Sequence, residues 1–80
     1  MSFYYTYVLK SIKDGKLYVG ATSVIKQRLK DHNDGLVEST KSRRPLELVY
    51  FEGCTDKHKA FRREQYFKTG FGRRFLKDRI

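Results

Sequence analysis

The first twenty-one residues, MSFYYTYVLKSIKDGKLYVGA, hold two aromatic and β-branched stretches separated by Lys13-Asp14-Gly15-Lys16. Tyr4, Tyr5, Tyr7, Val8 and Leu9 blur a strict two-residue alternation, so residues 1–11 read as a strand at least partly covered on both faces. Asp-Gly between such runs signals a hairpin turn, and residues 17–21 then form a second strand antiparallel to the first. A turn centred on Asp14 and Gly15 sets residues whose numbers sum to 29 opposite each other, with Tyr7 and Tyr18 on one face. In that register the two tyrosines stand about four positions out of line, roughly 13 Å at strand rise. A wider loop, or a bulge near Ser11 and Ile12, is needed to bring them together.

Thr22 or Ser23 is expected to cap a helix that runs to about residue 33 and stops at Gly35. Its apolar stripe is short (Val24, Ile25, Leu29), and Arg28 and His32, four apart, project beside it. Residues 35–44 form a polar, basic connection that Pro45 ends. Residues 46–52 alternate as a third strand, with Leu46, Leu48 and Tyr50 on one face. Thr55 is expected to cap a second helix over residues 56–69, with Ala60, Phe61, Phe67 and Phe71 facing the core and Gly70 closing it. A short third helix covers about residues 72–79. The order β-β-α-β-α-α predicts an α+β fold, a three-stranded antiparallel or mixed sheet flanked by three helices. Eighty residues make one domain, 1–80.

Composition narrows the function. Lys and Arg number 18 against 9 acidic residues, a net +9, which suits a polyanionic partner, nucleic acid first among them. No apolar run approaches the length of a membrane span, and residues 1–10 do not read as a secretory signal. Cys54 is the only cysteine, so an internal disulfide is excluded and the cytoplasm is the expected compartment. With Cys54, His32 and His58 as the only soft ligands, a structural zinc site of the usual kind is excluded as well.

Glu64 is the most informative single position. It falls inside the apolar stripe of the second helix, four residues after Ala60 and three before Phe67, where a carboxylate is costly unless paired or metal-bound. It is either neutralised by a cation such as Arg28 or another salt bridge, or it holds Mg²⁺, which takes one or two carboxylates and completes its shell with water and phosphate oxygen. Tyr7 and Tyr18 are either half-buried packing residues or phenols that hydrogen-bond or deprotonate a water with the help of a neighbouring cation. Arg28 and His32 are either a solvated face, or a fork for phosphate and a proton acceptor near neutrality. The loop cations Lys41, Arg43 and Arg44 and the later Arg63, Lys68, Arg73 and Arg74, with aromatics interleaved, suit contact with a phosphate backbone.

Together these residues resemble the GIY-YIG nuclease domain, small single-domain bacterial type. Tyr5-Thr6-Tyr7 stands at the first motif and Tyr18-Val19-Gly20 at the second, followed by Arg28, His32 and the distal Glu64. The stretch Arg63-Glu64-Gln65-Tyr66-Phe67-Lys68-Thr69-Gly70, with Gly72-Arg73 after it, also looks like those members. Tyr5 and Thr6 replace the usual Gly and Ile, Ala21 stands where some repair members have lysine, and no Asn follows Glu64. The resemblance implies the fold derived above and Mg²⁺-dependent (or Mn²⁺-dependent) cleavage of phosphodiester bonds. It implies that Glu64 holds one metal ion, that Tyr7 deprotonates or orients the attacking water, and that Tyr18 assists. Arg28 would stabilise the phosphate as it becomes pentavalent, and His32 would bond the tyrosine or take its proton.

The expected partner is DNA, with RNA the second candidate and a protein that supplies specificity a third participant. Eighty residues spent on the catalytic unit leave little for reading a long sequence, so backbone- or structure-directed binding with a steep salt dependence is expected. The competing readings are a non-enzymatic nucleic-acid-binding module of the same fold, and a protein-interaction domain whose charge is incidental.

Overall fold

A computed structural model describes residues 2–80. Met1, where the first-strand reading began, lies outside the described residues. The elements are β1 (Tyr4–Ser11), β2 (Leu17–Thr22), α1 (Ile25–Asn33), β3 (Leu46–Cys54), α2 (Lys57–Phe67) and α3 (Gly70–Lys77), with one 3-10 turn at Lys41–Arg43. The expected α+β order is found. The sheet runs β2-β1-β3 and is antiparallel throughout.

The hairpin register differs from the sum of 29. Tyr7 pairs with Gly20 and Leu9 with Tyr18, so opposite residues sum to 27. The cause is a longer loop. Ser11 N–H donates to the Lys16 carbonyl (2.9 Å) and Gly15, at φ +72°, donates to the Ser11 carbonyl (2.8 Å). The side chains of Ser11 and Asp14 accept from the amides of Asp14 and Lys16. Four residues are thereby turned out of the ladder where a two-residue turn would use two. Tyr18 now sits two positions from Tyr7's partner, and the ring centroids are 6.5 Å apart.

A bulge reshapes the third strand as well. Val8 pairs with Tyr50 but Leu9 pairs with Leu48, which leaves Val49 as an extra residue. Leu46 and Leu48 therefore stay on one face while Tyr50 crosses to the other, against the simple alternation. The two faces build two cores. Tyr7, Leu9 and Leu46 pack under Ile25 and Leu29 of α1. On the opposite face Val8, Val19, Phe67 and Leu76 pack with Val49, Tyr50 and Phe75 beneath α2 and α3. The central strand is covered on both sides, with Thr6, Tyr7, Val8 and Leu9 all buried, as its run of bulky residues predicts.

Helix ends depart from the expected caps. β2 runs on to Thr22, whose hydroxyl accepts from Val24 N–H, so Val24 takes the α1 cap position without a side-chain bond. Asp56, not Thr55, caps α2 by accepting from the His58 and Lys59 amides. Gly35, at φ +78°, follows the end of α1 as expected. In α2 the buried residues are Ala60 and Phe67; Phe61 and Phe71 are exposed. Phe61 lies a hundred degrees round the helix from Ala60, and Phe71 belongs to α3, whose buried residues are Gly72 and Leu76. Thr6 Oγ1, buried in the sheet, donates to the Ala60 carbonyl (3.0 Å) and pins α2 to the central strand.

Candidate active site

Tyr7 is central. Its ring leans across its partner on β2, so that a Cβ on Gly20 would stand 2.4 Å from the phenol oxygen. That oxygen lies 2.9 Å from His32 Nε2. His32 is fully buried, and its Nδ1 lies 2.7 Å from Thr40 Oγ1, which in turn donates to the Val37 carbonyl at 3.5 Å. A carbonyl can only accept, so the proton assignment runs outward from Val37: Thr40 donates to the carbonyl, His32 Nδ1–H donates to Thr40, and Tyr7 O–H donates to the bare Nε2. Tyr18 closes the cluster, its ring centroid 5.0 Å from that of His32.

Charge states follow from burial and from Arg28. Burial raises the Tyr7 pKa above its ordinary 10, and Tyr18 and Glu64 add to the rise; hydrogen bonding and charge from Arg28 oppose it without cancelling it. Burial first, then the Arg28 charge, lowers the His32 pKa below 6.5. Near neutral pH the pair therefore rests as phenol and uncharged imidazole. Arg28 stays protonated, held so by the same Tyr7 contact.

Glu64 reaches this edge from the other layer. It lies on α2 and lines a small pocket of about 250 Å³ with Tyr4, Ala21, Thr22 and Phe61, where the chain leaves β2. Its charge is the smallest of the influences that raise the Tyr7 pKa. The carboxylate is not paired with Arg28: Lys68 Nζ, one helical turn on, donates to Oε2 at 2.9 Å.

The cations expected to meet phosphate do not form one surface. Arg43, Lys68 and Arg73, with Lys16, line an open groove of about 880 Å³ that includes Tyr18. Lys41 and Arg44 border a separate shallow cleft with Lys13 and Pro45. Arg63 is turned inward: it pairs with Glu52 at 2.9 Å and lies over the rings of Tyr66, Phe67 and Phe75. Arg74 sits over Phe71.

The family model for the GIY-YIG catalytic domain matches residues 3–77. The chain belongs to the GIY-YIG family. Among similar bacterial proteins is a UPF0213 protein of Bacillus licheniformis, 47% identical over 66 residues, covering 81% of this chain and 67% of the relative. Another, from Staphylococcus haemolyticus, is 43% identical over 70 residues, covering 86% and 84%. The solution NMR structure of a UPF0213 protein from Bacillus halodurans superposes with a TM-score of 0.58 at 30% identity, over 95% of this chain and 83% of that one.

In GIY-YIG terms, the first motif supplies the phenol and the second supplies both Tyr18 and the glycine over which that phenol lies. Among the described residues no group of three or more His, Cys, Asp or Glu could cage an ion. The donor set still fits Mg²⁺, which asks for one or two hard carboxylates and keeps water and phosphate oxygens. Glu64 is such a donor: its side chain is 15% exposed and Oε2 alone is bonded to Lys68. Sequence reasoning missed Thr40, whose hydroxyl sets the imidazole, because a threonine in a polar loop carries no local signal. The Lys68 partner was missed too, with Arg28 named in its place, although the i,i+4 spacing from Glu64 carries that signal.

Proposed function

We propose that the chain is a metal-dependent DNA endonuclease, directed by backbone or structure more than by sequence. The observation that carries this reading is the Tyr7–His32–Thr40 hydrogen-bond chain, flanked by Arg28 and Tyr18 at the strand edge that Glu64 approaches. Glu64 is the residue that would hold Mg²⁺ or Mn²⁺, and the ion when bound supplies Lewis-acid polarisation of the phosphate.

The chain's own groups do the rest. Tyr7, resting as a neutral phenol, can take a proton from water only as it passes its own to His32 Nε2. The bare nitrogen is ready for it, and Thr40 fixes the ring so that this nitrogen faces Tyr7. Tyr18 packs against both rings and helps to orient the water. Arg28 is a fixed cation beside the phenol, placed to offset charge that develops on the phosphate. Arg43, Lys68 and Arg73 bind flanking phosphates from the groove.

One observation favours the second reading, a non-enzymatic module: Lys68 already neutralises Glu64. Incubation with plasmid and branched DNA, in Mg²⁺ or in chelator, separates the two. An enzyme cuts only with the metal, and Glu64→Ala and Arg28→Ala lose cutting while retaining much DNA affinity. Identical products with metal and with chelator, across all substrates, refute the enzyme.

A further inference from the structure

Lys68 stands at the boundary of two sites. Its ammonium holds Glu64 Oε2 at 2.9 Å, yet its side chain also lines the cationic groove with Arg43 and Arg73. The two members of the pair are unequal. Lys68 is 49% exposed, on a flexible four-carbon stem, while Glu64 is 15% exposed and fixed on the packed side of α2. The lysine is the more exposed and longer-stemmed of the two, and the one acidic residue lining the groove is Asp14, which lies near Arg43 Nε at 3.7 Å. A phosphodiester strand in the groove would change that, because it brings the anions the groove lacks.

We infer that Lys68 is an exchangeable counterion. It neutralises Glu64 in the free protein, transfers to a backbone phosphate when a DNA strand enters the groove, and leaves the carboxylate open to a divalent cation. Strand binding and metal binding then reinforce each other, since each removes a partner that opposes the other. The free protein is a poor metal binder, and the ion is taken up only with DNA in place. Lys68 is a positioning residue in this scheme. The inference rests on Glu64 being the metal-holding residue.

Mn²⁺ binding to the full chain, read from the electron paramagnetic resonance of the free ion, tests it with and without decathymidylate. Wild-type protein is expected to bind Mn²⁺ weakly alone and about fivefold or more tightly with the oligonucleotide, after subtraction of Glu64→Gln protein with the same oligonucleotide. Lys68→Gln should bind Mn²⁺ about two- to fivefold more tightly than wild type without DNA, and show most of the oligonucleotide effect gone. Arg62→Gln removes the same charge from an exposed position on α2 that lines none of these pockets, and should behave as wild type. If Lys68→Gln matches wild type in both conditions, or Arg62→Gln reproduces its effect, the exchange is refuted while the Glu64 reading stands. If Glu64→Gln binds Mn²⁺ as wild type does, the metal site itself is elsewhere and both fall.

Discussion

At the scale of single residues, Tyr7 and its two neighbours make predictions that differ in kind. A methyl group at position 20 would lie 2.4 Å from the phenol oxygen and 2.5 Å from ring Cζ, so the buried Tyr7 ring has to shift as a unit, which costs less than opening the strand. Gly20→Ala should therefore leave the fold intact and displace the phenol from His32. Cleavage is expected to fall about 10²- to 10⁴-fold, the usual worth of a positioned general base, with the native circular dichroism kept and a still cooperative melt, its stability lowered by about 1–3 kcal/mol as the buried ring shifts; wild-type rates in that variant contradict the arrangement. His32 predicts a pH limb in stability. Its folded pKa lies below 6.5, so on acidification the unfolded chain takes up a proton before the folded one does. Stability is thus level above that value and declines as the pH falls beneath it. Asp14 and Asp56, both held below 3.8, act further down. Between about pH 8 and pH 5, the melting temperature of wild type should fall more than that of His32→Gln. Parallel curves for the two proteins rule out a buried, uncharged imidazole.

At the scale of elements, the tightest joint is between α2 and α3. A Cβ on Gly72 would come within 2.0 Å of the Tyr66 carbonyl oxygen and 2.6 Å of Phe67 Cα. These are backbone atoms of a packed helix and cannot step aside. Gly72→Ala should cost about 1–3 kcal/mol or more, seen as a lower denaturant midpoint; an unchanged midpoint would mean that α3 does not pack as closely as described. Much of this layer was readable in advance. The bulky run of β1 announced a strand covered on both faces, and Gly35 announced the end of α1. Several of the places that were not readable depend on a partner distant in sequence. The four-residue hairpin loop, one of the two arrangements the tyrosine spacing called for, is held by local bonds and by the Ser11 hydroxyl, which also donates to the distant Arg43 carbonyl (2.7 Å). The Val49 bulge arises only when β3 meets β1. Thr40 gains its meaning only once His32 is buried beside it, and Arg63, to all appearance a surface cation, is drawn inward by Glu52 and three aromatic rings.

At the scale of the whole molecule, the candidate site is a meeting of two layers that the sheet otherwise keeps apart. Tyr7, Tyr18, Arg28 and His32 belong to the α1 side, and Glu64 to the α2 side, where it lines a pocket with Ala21 and Thr22 of the edge strand β2. The net charge of +9 is likewise divided, with one groove beside Tyr18 and a second cleft near the end of α1. No helix among the described residues is long and apolar enough to cross a membrane. The most direct test of the site is cleavage of supercoiled plasmid and branched DNA by wild type, Glu64→Ala and Arg28→Ala, each with Mg²⁺ and with chelator. Nicked or linear product is expected from wild type with Mg²⁺ alone, and none from either variant although both still bind DNA. Cutting by Glu64→Ala at the wild-type rate, or cutting by wild type in chelator, would overturn the metal-dependent site.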